Sequence, residues 1–488
     1  MLTNAYRFLA LAITLAMPVA SYAKKSIPSN GMYVSFHKNG QLAARKLYKD
    51  GGLDGPQFTF YNNGQLRARE AYKDGKRDGP FERYYKNGQL RHKGAYKAGK
   101  GHGPFEKYYI DGALQQKGSL KDGRKDGIVE NYHANGQLLH KRSFKDGARD
   151  GAFEDYFKDG QLKWKGRFKD SKKEGPHETY YNSGQLHHKG TFKDGKKEGS
   201  FERYYENGQL QQKFAHKDDK FDGLHVEYHK NGELQFQVLY ADNKREGPLV
   251  AYYDNGQLSK KGTFKNGQRE GLLEEYHKNG KLKEKGTYDN GKKQGAFEKY
   301  FENGELKEKG TYNNGNKEGA FERYFENGQL MMKEAFRDGK PDGPLERYFE
   351  NGQLRQKKAF KDGAPDGPFV VYFMNGQLEV QGSFKDGKQD GPYVGYYANG
   401  QLHHKGAFKN GKKEGPFEMY YLNGQLKKKA TFKDDKRDGT SERYFANGQL
   451  RDKGTYNAGK KDGTFEYYFE DGELQEKRLF KGGKRLPD

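Results

Sequence analysis

The segment Asn39-Gly40-Gln41-Leu42 recurs every 24 residues, with no insertion or deletion, as far as Asp471-Gly472-Glu473-Leu474. The nineteen copies fill nearly all of the chain after its first thirty residues. A fixed period between 20 and 50 residues indicates a repeat architecture, in which each unit packs only on its neighbours. We therefore expect a surface displayed many times over and no single catalytic cleft.

The composition excludes several conventional globular domains. Only 32% of the residues are hydrophobic, against roughly 45–50% in an ordinary domain. Tyr and Phe together number 70, and Gly numbers 67. Disordered chains are poor in aromatic residues, so the regular aromatic spacing favours an ordered structure. There is no Cys, so stability must come from repeat stacking and not from disulfides.

The first 23 residues differ from everything that follows. Arg7 is their only charged residue, an apolar run extends from Phe8 to Val19, and Ser21-Tyr22-Ala23 forms a small-x-small cleavage pattern. This pattern predicts a secretory signal peptide over 1–23, with an uncleaved membrane anchor as the alternative. A linker over 24–30, repeats over 31–481 and a C-terminal tail over 482–488 complete the predicted organisation. We expect export to the periplasm, to the outer membrane or beyond the cell.

One repeat, Pro80 to Lys97, predicts a β-hairpin. Asn87-Gly88 between alternating residues is typical of a two-residue type I′ turn, in which both residues have positive φ. Such a turn places Lys86 opposite Gln89, Tyr85 opposite Leu90, Tyr84 opposite Arg91 and Glu82 opposite Lys93. A second turn, beginning at Asp74-Gly75, joins each hairpin to the next.

This register separates two faces of the predicted sheet, because successive side chains point to opposite sides. Phe81, Tyr85, Leu90 and Tyr96 fall on one face, with Gly94 leaving room beside Phe81. Glu82, Tyr84, Lys86, Arg91, Lys93 and Lys97 fall on the other. The repeats support the pairing of Glu82 with Lys93, because the two copies without that base, at Gln237 and Gln381, also lack the acid and carry Val226 and Val370.

An isolated hairpin of this kind is marginal at best, so stacking of neighbours is obligatory. The sequence therefore predicts an all-β fold: an elongated tandem array of nineteen 24-residue antiparallel hairpins forming a twisted single-layer sheet or solenoid. The apolar face needs a cover, which could be its own rings in a curled groove, a second copy of the chain or a ligand.

The segment GAYKAGKGHG, from Gly94 to Gly103, resembles the membrane-occupation-and-recognition-nexus (MORN) repeat. GTFKDGKKEG from Gly190 and GTFKNGQREG from Gly262 show the same pattern, Gly-x-aromatic-x-x-Gly-x-x-x-Gly. Together with the NGQL turn, these segments are similar to the bacterial MORN-variant repeats of YwqK-type antitoxins. The resemblance implies a hairpin array used for binding or scaffolding, through membrane lipid, a protein partner or a toxin.

The predicted polar face supplies the candidate binding residues. The Tyr84 position is aromatic in all nineteen copies, and the Lys93 position is basic in seventeen. One interpretation is a ladder of rings and cations that holds an anionic polymer or lipid headgroups, and the alternative is a structural row of rings that stiffens the sheet. The candidates are Tyr84, Tyr108, Tyr132, Tyr156, Tyr180, Tyr204, Tyr300, Tyr324, Tyr348, Lys93, Lys117, Lys141, Lys165, Lys189, Lys309 and Lys357.

Other chemistry is disfavoured. An acid at the Asp78 position of most connecting turns could bind calcium, but Lys lies among these acids and turn formation explains them better. Adjacent histidines such as His187-His188 point to opposite faces of a strand, so neither pair chelates a metal alone. No nucleophile–base set or phosphate-binding loop stands out, so we expect no enzyme activity, no metal and no cofactor.

The net charge of +23 favours anionic partners. Our leading hypothesis is a non-enzymatic exported repeat protein that binds or scaffolds at an anionic envelope surface or a protein partner, through the basic, Tyr-bearing face. The alternatives are an antitoxin- or immunity-like protein that neutralises a toxin by protein–protein binding, and a purely structural rod. A homodimer is compatible with each of these, and export disfavours nucleic acid as a partner.

Overall fold

The computed structural model describes residues 27–487, and the predicted signal peptide at 1–23 lies outside them. Within that range the regular structure is entirely β, in antiparallel hairpins, which confirms the predicted all-β repeat fold. No helix among these residues is long and apolar enough to cross a membrane. The chain divides into two compact units, and Lys197 is the first residue of the second.

The strands of the first unit are six to nine residues long, apart from several strands of two residues. They are β1 (Gly31–Phe36), β2 (Leu42–Lys49), β3 (Gly52–Leu53), β4 (Gly55–Phe60), β5 (Leu66–Lys73), β6 (Lys76–Tyr84), β7 (Leu90–Lys97), β8 (Lys100–Gly101), β9 (Gly103–Tyr108), β10 (Leu114–Lys121), β11 (Arg124–Lys125), β12 (Gly127–Tyr132), β13 (Leu138–Lys145), β14 (Ala148–Tyr156), β15 (Leu162–Lys169), β16 (Lys172–Lys173), β17 (Gly175–Tyr180) and β18 (Leu186–Lys193). β19 (Lys196–Lys197) spans the division between the units.

The second unit continues the same pattern. Its strands are β20 (Gly199–Tyr204), β21 (Leu210–Lys217), β22 (Lys220–Phe221), β23 (Gly223–Tyr228), β24 (Leu234–Ala241), β25 (Lys244–Tyr252), β26 (Leu258–Lys265), β27 (Gln268–Tyr276), β28 (Leu282–Asp289), β29 (Lys292–Tyr300), β30 (Leu306–Asn313), β31 (Asn316–Tyr324), β32 (Leu330–Arg337), β33 (Lys340–Tyr348), β34 (Leu354–Lys361), β35 (Ala364–Pro365), β36 (Gly367–Tyr372), β37 (Leu378–Lys385), β38 (Lys388–Gln389), β39 (Gly391–Tyr396), β40 (Leu402–Lys409), β41 (Lys412–Tyr420), β42 (Leu426–Lys433), β43 (Lys436–Tyr444), β44 (Leu450–Asn457), β45 (Lys460–Lys461), β46 (Gly463–Tyr468), β47 (Leu474–Lys481) and β48 (Lys484–Arg485). β48 lies in the segment predicted as the C-terminal tail.

The pairing of β6 with β7 shows how one hairpin is built. Glu82 lies opposite Lys93 and Phe81 lies opposite Gly94, as the repeat pattern predicts. Val226 and Val370 face Gln237 and Gln381 in the two copies that lack the ion pair. The register inferred from the sequence is therefore confirmed for the body of the hairpin.

The turn that closes the hairpin differs from the predicted two-residue turn. Gly88 has φ of +88°, but Asn87 is not among the residues with positive φ. The Gly88 amide donates to the Tyr85 carbonyl at 3.0 Å and the Tyr85 amide donates to the Gln89 carbonyl at 2.8 Å, so the loop holds three residues. The type I′ turn predicted at Asn87-Gly88 is therefore wrong, as is the pairing of Lys86 with Gln89.

The extra loop residue is compensated by a β-bulge. Tyr84 lies opposite Leu90, Arg83 lies opposite His92, and Arg91 has no opposite residue. The predicted pairs Tyr85–Leu90 and Tyr84–Arg91 are wrong, and Leu90 lies on the side of Tyr84 and not on that of Phe81. A bulge inserts one unpaired residue and so changes which face the neighbouring side chains occupy.

The repeated Asn has a different role from the one predicted. The Asn87 Oδ1 atom accepts the Gln89 amide at 3.1 Å, and its Nδ2 atom donates to the Ile110 carbonyl at 3.0 Å, in the turn of the next hairpin. Asn39, Asn63, Asn255 and other copies make the same bond to a carbonyl 23 residues along the chain. The Asn side chain therefore links successive turns.

The type I′ turn instead joins one hairpin to the next. Asp74 and Gly75 have φ of 48° and 76°, and Lys73 lies directly opposite Lys76. Positive φ at both central residues is the requirement of this turn, and Asp and Gly tolerate it. We call the edge of the sheet along which these turns lie the turn edge.

The side of the sheet that carries Phe81 and Tyr96 is called the phenylalanine face. Phe81, Phe201, Phe297 and Phe321 on this face are 0–5% exposed. Rings and cations of the chain itself cover them: the Phe81 and Tyr96 ring centroids lie 4.9 Å apart, and Arg77 lies 5.3 Å from the Tyr96 centroid. These contacts combine area burial with cation–π attraction.

Some rings on this face also pack over a glycine of the preceding hairpin. A Cβ atom added at Gly310 would lie 2.5 Å from Cδ1 of Phe321, and one at Gly286 would lie 2.9 Å from Cδ2 of Phe297. Such approaches are too close for a side chain, so the glycine is required by the neighbouring ring and not by a turn.

We expect Gly310→Ala to lower the free energy of unfolding by about 1–3 kcal/mol, because the added methyl overpacks the site beneath Phe321. Denaturant unfolding measures the loss. The matched control is Gly310→Ala on a Phe321→Ser background, which reproduces the pair Ala430 and Ser441 of another copy. An equal loss in both backgrounds would contradict the packing explanation.

His177 takes the Phe81 position in its repeat. It is 3% exposed, its Nε2 atom has no hydrogen-bond partner among the residues that the structure describes, and burial lowers its pKa. An unfolded histidine titrates near pH 6.5, so the unfolded state binds the proton more readily and stability falls as the pH drops below about 6.5. Burial also lowers the pKa of His92, to about 4.

We therefore expect His177→Phe to raise stability at pH 5 more than at pH 8, by about 1 kcal/mol or more, because no buried imidazole remains to be desolvated. Denaturant midpoints of both proteins across this pH range test the expectation. Parallel pH profiles would show that His177 does not titrate as proposed.

Candidate functional site

The candidate tyrosines and lysines lie together on the tyrosine face, the side of the sheet that carries Glu82, Tyr84, Leu90 and Lys93. In one copy, the Tyr132 hydroxyl donates to Glu130 Oε2 at 2.6 Å. Lys117, on the preceding hairpin, places its Nζ atom 2.8 Å from the same oxygen and 5.7 Å from the Tyr132 ring centroid. A carboxylate therefore joins the ring and the cation.

The electrostatics of these clusters fix their charge states. The hydrogen bond from Tyr324, together with Lys309, lowers the pKa of Glu322 to about 2. Burial and the bond to Glu82 raise the pKa of Tyr84 to about 12. The pairing also raises the pKa of Lys309, so at neutral pH the cluster of Tyr324, Glu322 and Lys309 holds a neutral phenol, a carboxylate and an ammonium group.

The predicted tyrosines all make this bond. Each donates its hydroxyl to the glutamate two residues earlier: Tyr84, Tyr108, Tyr132, Tyr156, Tyr180, Tyr204, Tyr300, Tyr324 and Tyr348.

The predicted lysines also lie beside these glutamates. Lys93, Lys117, Lys165 and Lys309 form ion pairs with the glutamate of the next hairpin, at 2.8–2.9 Å. Lys357 pairs with Glu346 at 3.0 Å, and Lys141 and Lys189 lie opposite Glu130 and Glu178. The predicted residues are therefore brought together, but much of their charge is neutralised within the face.

The sequence contained a signal for the tyrosine–glutamate bond. The Tyr84 position is Phe only at Phe36 and Phe60, and both of those copies lack the acid, with Val34 and Phe58 in its place. The hydroxyl is therefore missing only where it would have no carboxylate to bind.

The turn edge carries pairs of cations that the sequence did not reveal as pairs, although it placed Lys97 on the predicted polar face. Lys97 and Lys100 lie directly opposite each other across the type I′ turn, and both are exposed. Pairs with a cation on both sides of this turn include 73/76, 97/100, 121/124, 169/172, 217/220, 337/340, 385/388, 409/412, 433/436 and 481/484. The pairs follow from the register at the type I′ turn, which places the two residues that flank the turn directly opposite each other.

Aspartates of neighbouring turns neutralise only part of this charge. Lys220 lies 2.5 Å from Asp242 and Lys412 lies 3.3 Å from Asp434, whereas Lys121 is 4.0 Å from Asp146. All of these groups are exposed, so each pair is weak and screened by salt.

The acids at the Asp78 position make a local structural contact. Asp78 Oδ2 accepts the Ala98 amide at 3.0 Å, and Glu174 Oε2 accepts the Asp194 amide at 2.9 Å. Each acid thereby binds the backbone of the next type I′ turn. These bonds agree with the interpretation that the acids serve turn formation, which the sequence favoured over calcium binding. Among residues 27–487 no group of three or more His, Cys, Asp or Glu is placed to hold a metal ion.

We expect Tyr324→Phe to lower the free energy of unfolding by about 0.5–1.5 kcal/mol, because it removes the bond to Glu322. Tyr372→Phe is the matched control, since Val370 takes the place of the acid in that copy. Denaturant unfolding should show almost no loss for the control. Equal losses would mean that the hydroxyl acts through some other contact.

Solved structures match this chain only at low identity and with low TM-scores. A crystal structure of TcdB2-TccC3-Cdc42 matches 92% of this chain and 28% of its own, at 11% identity and a TM-score of 0.14. A structure of the Photorhabdus luminescens Tc holotoxin pore matches 92% and 26%, at 12% identity and a TM-score of 0.16. The chain spans about a quarter of the length of these structures, and the scores are too low to carry a functional argument. No curated protein matched the chain.

The family comparison is decisive. The model of the MORN repeat variant matches sixteen segments, which together cover more than half of the chain: 29–50, 53–74, 77–98, 125–146, 173–194, 197–218, 221–242, 245–266, 269–290, 293–314, 317–338, 341–362, 389–410, 413–434, 437–458 and 461–481. Each matched segment contains one closing turn and most of one hairpin. The chain therefore belongs to the MORN repeat variant family.

Proposed function

We propose that this chain is an exported, non-enzymatic binding protein that attaches to an anionic surface of the cell envelope through the lysine pairs of the turn edge. The observation that carries the proposal is the direct opposition of two exposed cations in turn after turn. The net charge of +23 supports it, and the signal-peptide pattern over 1–23 supports export.

The lysine pairs are unfavourable for the sheet itself. Like charges directly opposite each other destabilise an antiparallel pair, whereas opposite charges contribute about 0.2–1 kcal/mol. A Glu or Thr at either position would remove the repulsion, yet Lys recurs at both Lys97 and Lys100 and at the equivalent positions. An anionic surface that lies against the edge relieves this repulsion, which gives the pairs a role in binding.

The spacing of the pairs suits an extended anionic partner. Successive type I′ turns are two strands apart, which places them about 10 Å from each other. Backbone contacts hold neighbouring turns together, because the Gly99 amide donates to the Arg77 carbonyl at 2.8 Å. Several pairs can therefore reach the same lipid or polymer surface, and each lysine near an anionic membrane contributes about 1 kcal/mol.

The tyrosine face is the less suitable surface for this role. Its lysines are engaged by glutamates, as Lys117 is by Glu130. A partner would have to displace these ion pairs before it gained the same contacts. The turn edge therefore takes over the binding role that the sequence suggested for the tyrosine face.

Vesicle binding tests the proposal. We expect the purified chain to bind vesicles containing phosphatidylglycerol and not neutral vesicles, with affinity falling as salt rises. Replacing Lys73, Lys76, Lys97, Lys100, Lys169 and Lys172 by Gln should weaken binding by about tenfold or more.

The matched control removes the same net charge from the tyrosine face, by replacing Lys93, Lys117, Lys141, Lys165, Lys309 and Lys357 with Gln. It should weaken binding much less than the turn-edge variant does. Equal losses would show that only net charge matters, and binding that ignores salt would exclude electrostatic attachment. Melting curves of both variants establish that they remain folded.

A further inference from the structure

A concavity of about 580 Å³ opens on the phenylalanine face of the first unit, where β4 and β5 meet β6 and β7. Three small or folded-back side chains form its floor: Gln57, Thr59 and Ala68. The equivalent residues of the next hairpin are the larger Phe81, Arg83 and His92. The concavity therefore exists because this hairpin lacks the bulky side chains present in the next one.

Gln57 is held down onto the backbone and leaves the space above it open. Its Oε1 atom accepts the Leu47 amide at 2.9 Å, and its Nε2 atom donates to the Leu47 carbonyl at 3.0 Å. The side chain is 5% exposed. Gln57 therefore takes the place of the phenylalanine ring at the base of the concavity, and both polar atoms of its side chain are hydrogen-bonded.

Five cations line the concavity: Lys46, Arg67, Arg77, Arg83 and Arg91. Lys46 comes from β2, and Arg67 and Arg91 follow the closing turns of successive hairpins. Arg91 occupies the unpaired position of the bulge, so its side chain does not follow the regular alternation between the two faces of the sheet. The lining therefore gathers positive charge from three consecutive hairpins.

Glu70 is the only carboxylate in this lining, and it orients two of the guanidinium groups. Its Oε1 atom accepts from Arg83 Nη2 at 2.7 Å and from Arg83 Nε at 2.9 Å. Its Oε2 atom accepts from Arg77 Nε and from the Tyr72 hydroxyl, at 3.1 and 3.2 Å. These bonds fix the direction of the remaining N–H groups, and the net charge of the lining stays strongly positive.

The donors that remain have no acceptor among residues 27–487. Arg83 keeps its Nη1 group, Arg77 keeps both Nη groups, and Lys46, Arg67 and Arg91 make no hydrogen bond or ion pair to another described residue. A guanidinium group presents its N–H donors in a fixed fork that matches phosphate and carboxylate oxygens.

We propose that this concavity is a specific site for a phosphate group carried by a small molecule or by a headgroup. The excess of cations over the single carboxylate favours a dianion over a monoanionic carboxylate. The volume falls within the range of about 300–1,000 Å³ typical of small-molecule sites, so the phosphate and part of its carrier fit together. The site lies on a different side of the sheet from the turn edge and does not depend on attachment through it.

Isothermal titration of the purified chain with glycerol 3-phosphate tests the proposal, and vesicles containing phosphatidic acid present the same group on a lipid. We expect saturation at one glycerol 3-phosphate per chain. The triple variant Lys46→Gln, Arg67→Gln, Arg91→Gln should weaken binding by about tenfold or more, because charged hydrogen bonds are lost without breaking the Glu70 cluster. Ala68→His, which installs the residue of the next hairpin, should weaken it by partly filling the concavity.

The matched control removes three exposed cations from the second unit, by replacing Lys361, Lys385 and Lys388 with Gln. It should leave glycerol 3-phosphate binding within about twofold of the parent, because none of these three lysines lines the concavity. An equal loss in the control, several glycerol 3-phosphate molecules per chain, or a triple variant that weakens the binding of neither probe would each overturn the proposal. Binding of the free ester, with vesicle binding unchanged in the triple variant, identifies a soluble ligand. Vesicle binding that the triple variant weakens and the turn-edge variant retains identifies a lipid headgroup.

The test is separate from that of the turn edge. Loss of vesicle binding in the turn-edge variant with glycerol 3-phosphate binding intact supports two independent sites. If the turn-edge lysines are also needed for the free ester, the concavity is not an independent site.

Discussion

The three-residue turn that closes each hairpin is the constraint on which the rest of the structure depends. Gly88 takes a positive φ, the loop gains one residue, and a bulge at Arg91 restores the register further along. This places Leu90 beside Tyr84 and leaves Arg91 without an opposite residue. The same arrangement recurs in the other hairpins, where Tyr324 lies opposite Leu330 and Tyr444 lies opposite Leu450. The composition of both faces follows from it.

Contacts between neighbours then make the hairpins depend on one another. The Asn side chain reaches the next closing turn, the acid at the Asp78 position binds the next type I′ turn, and in copies such as that of Phe321 the ring covers a glycine of the preceding hairpin. Each contact spans adjacent repeats, so a hairpin removed from the array would lose all three. A lone hairpin is marginal in water, and stability in such proteins resides in the interfaces between repeats.

The sequence predicted the hairpins, their period and the pairing of Glu82 with Lys93, because internal copies reveal which positions change together. It did not predict the turn type, because Asn-Gly favours a type I′ turn locally and the Asn is needed instead for a bond 23 residues away. The lysine pairs of the turn edge and the concavity near Ala68 were missed for a related reason. Both depend on register at turns and bulges, which alternation alone does not determine.

The functional proposals rest on that register, since it decides which cations are neutralised and which remain exposed. Because the chain contains no Cys, paired cysteines can report the register directly. Opposite residues bring their Cβ atoms close enough for a disulfide, whereas offset residues on different faces do not. Oxidation should link the variant Tyr84→Cys, Leu90→Cys readily and the variant Tyr85→Cys, Leu90→Cys poorly. The reverse result would restore the two-residue turn and contradict the arrangement of both faces.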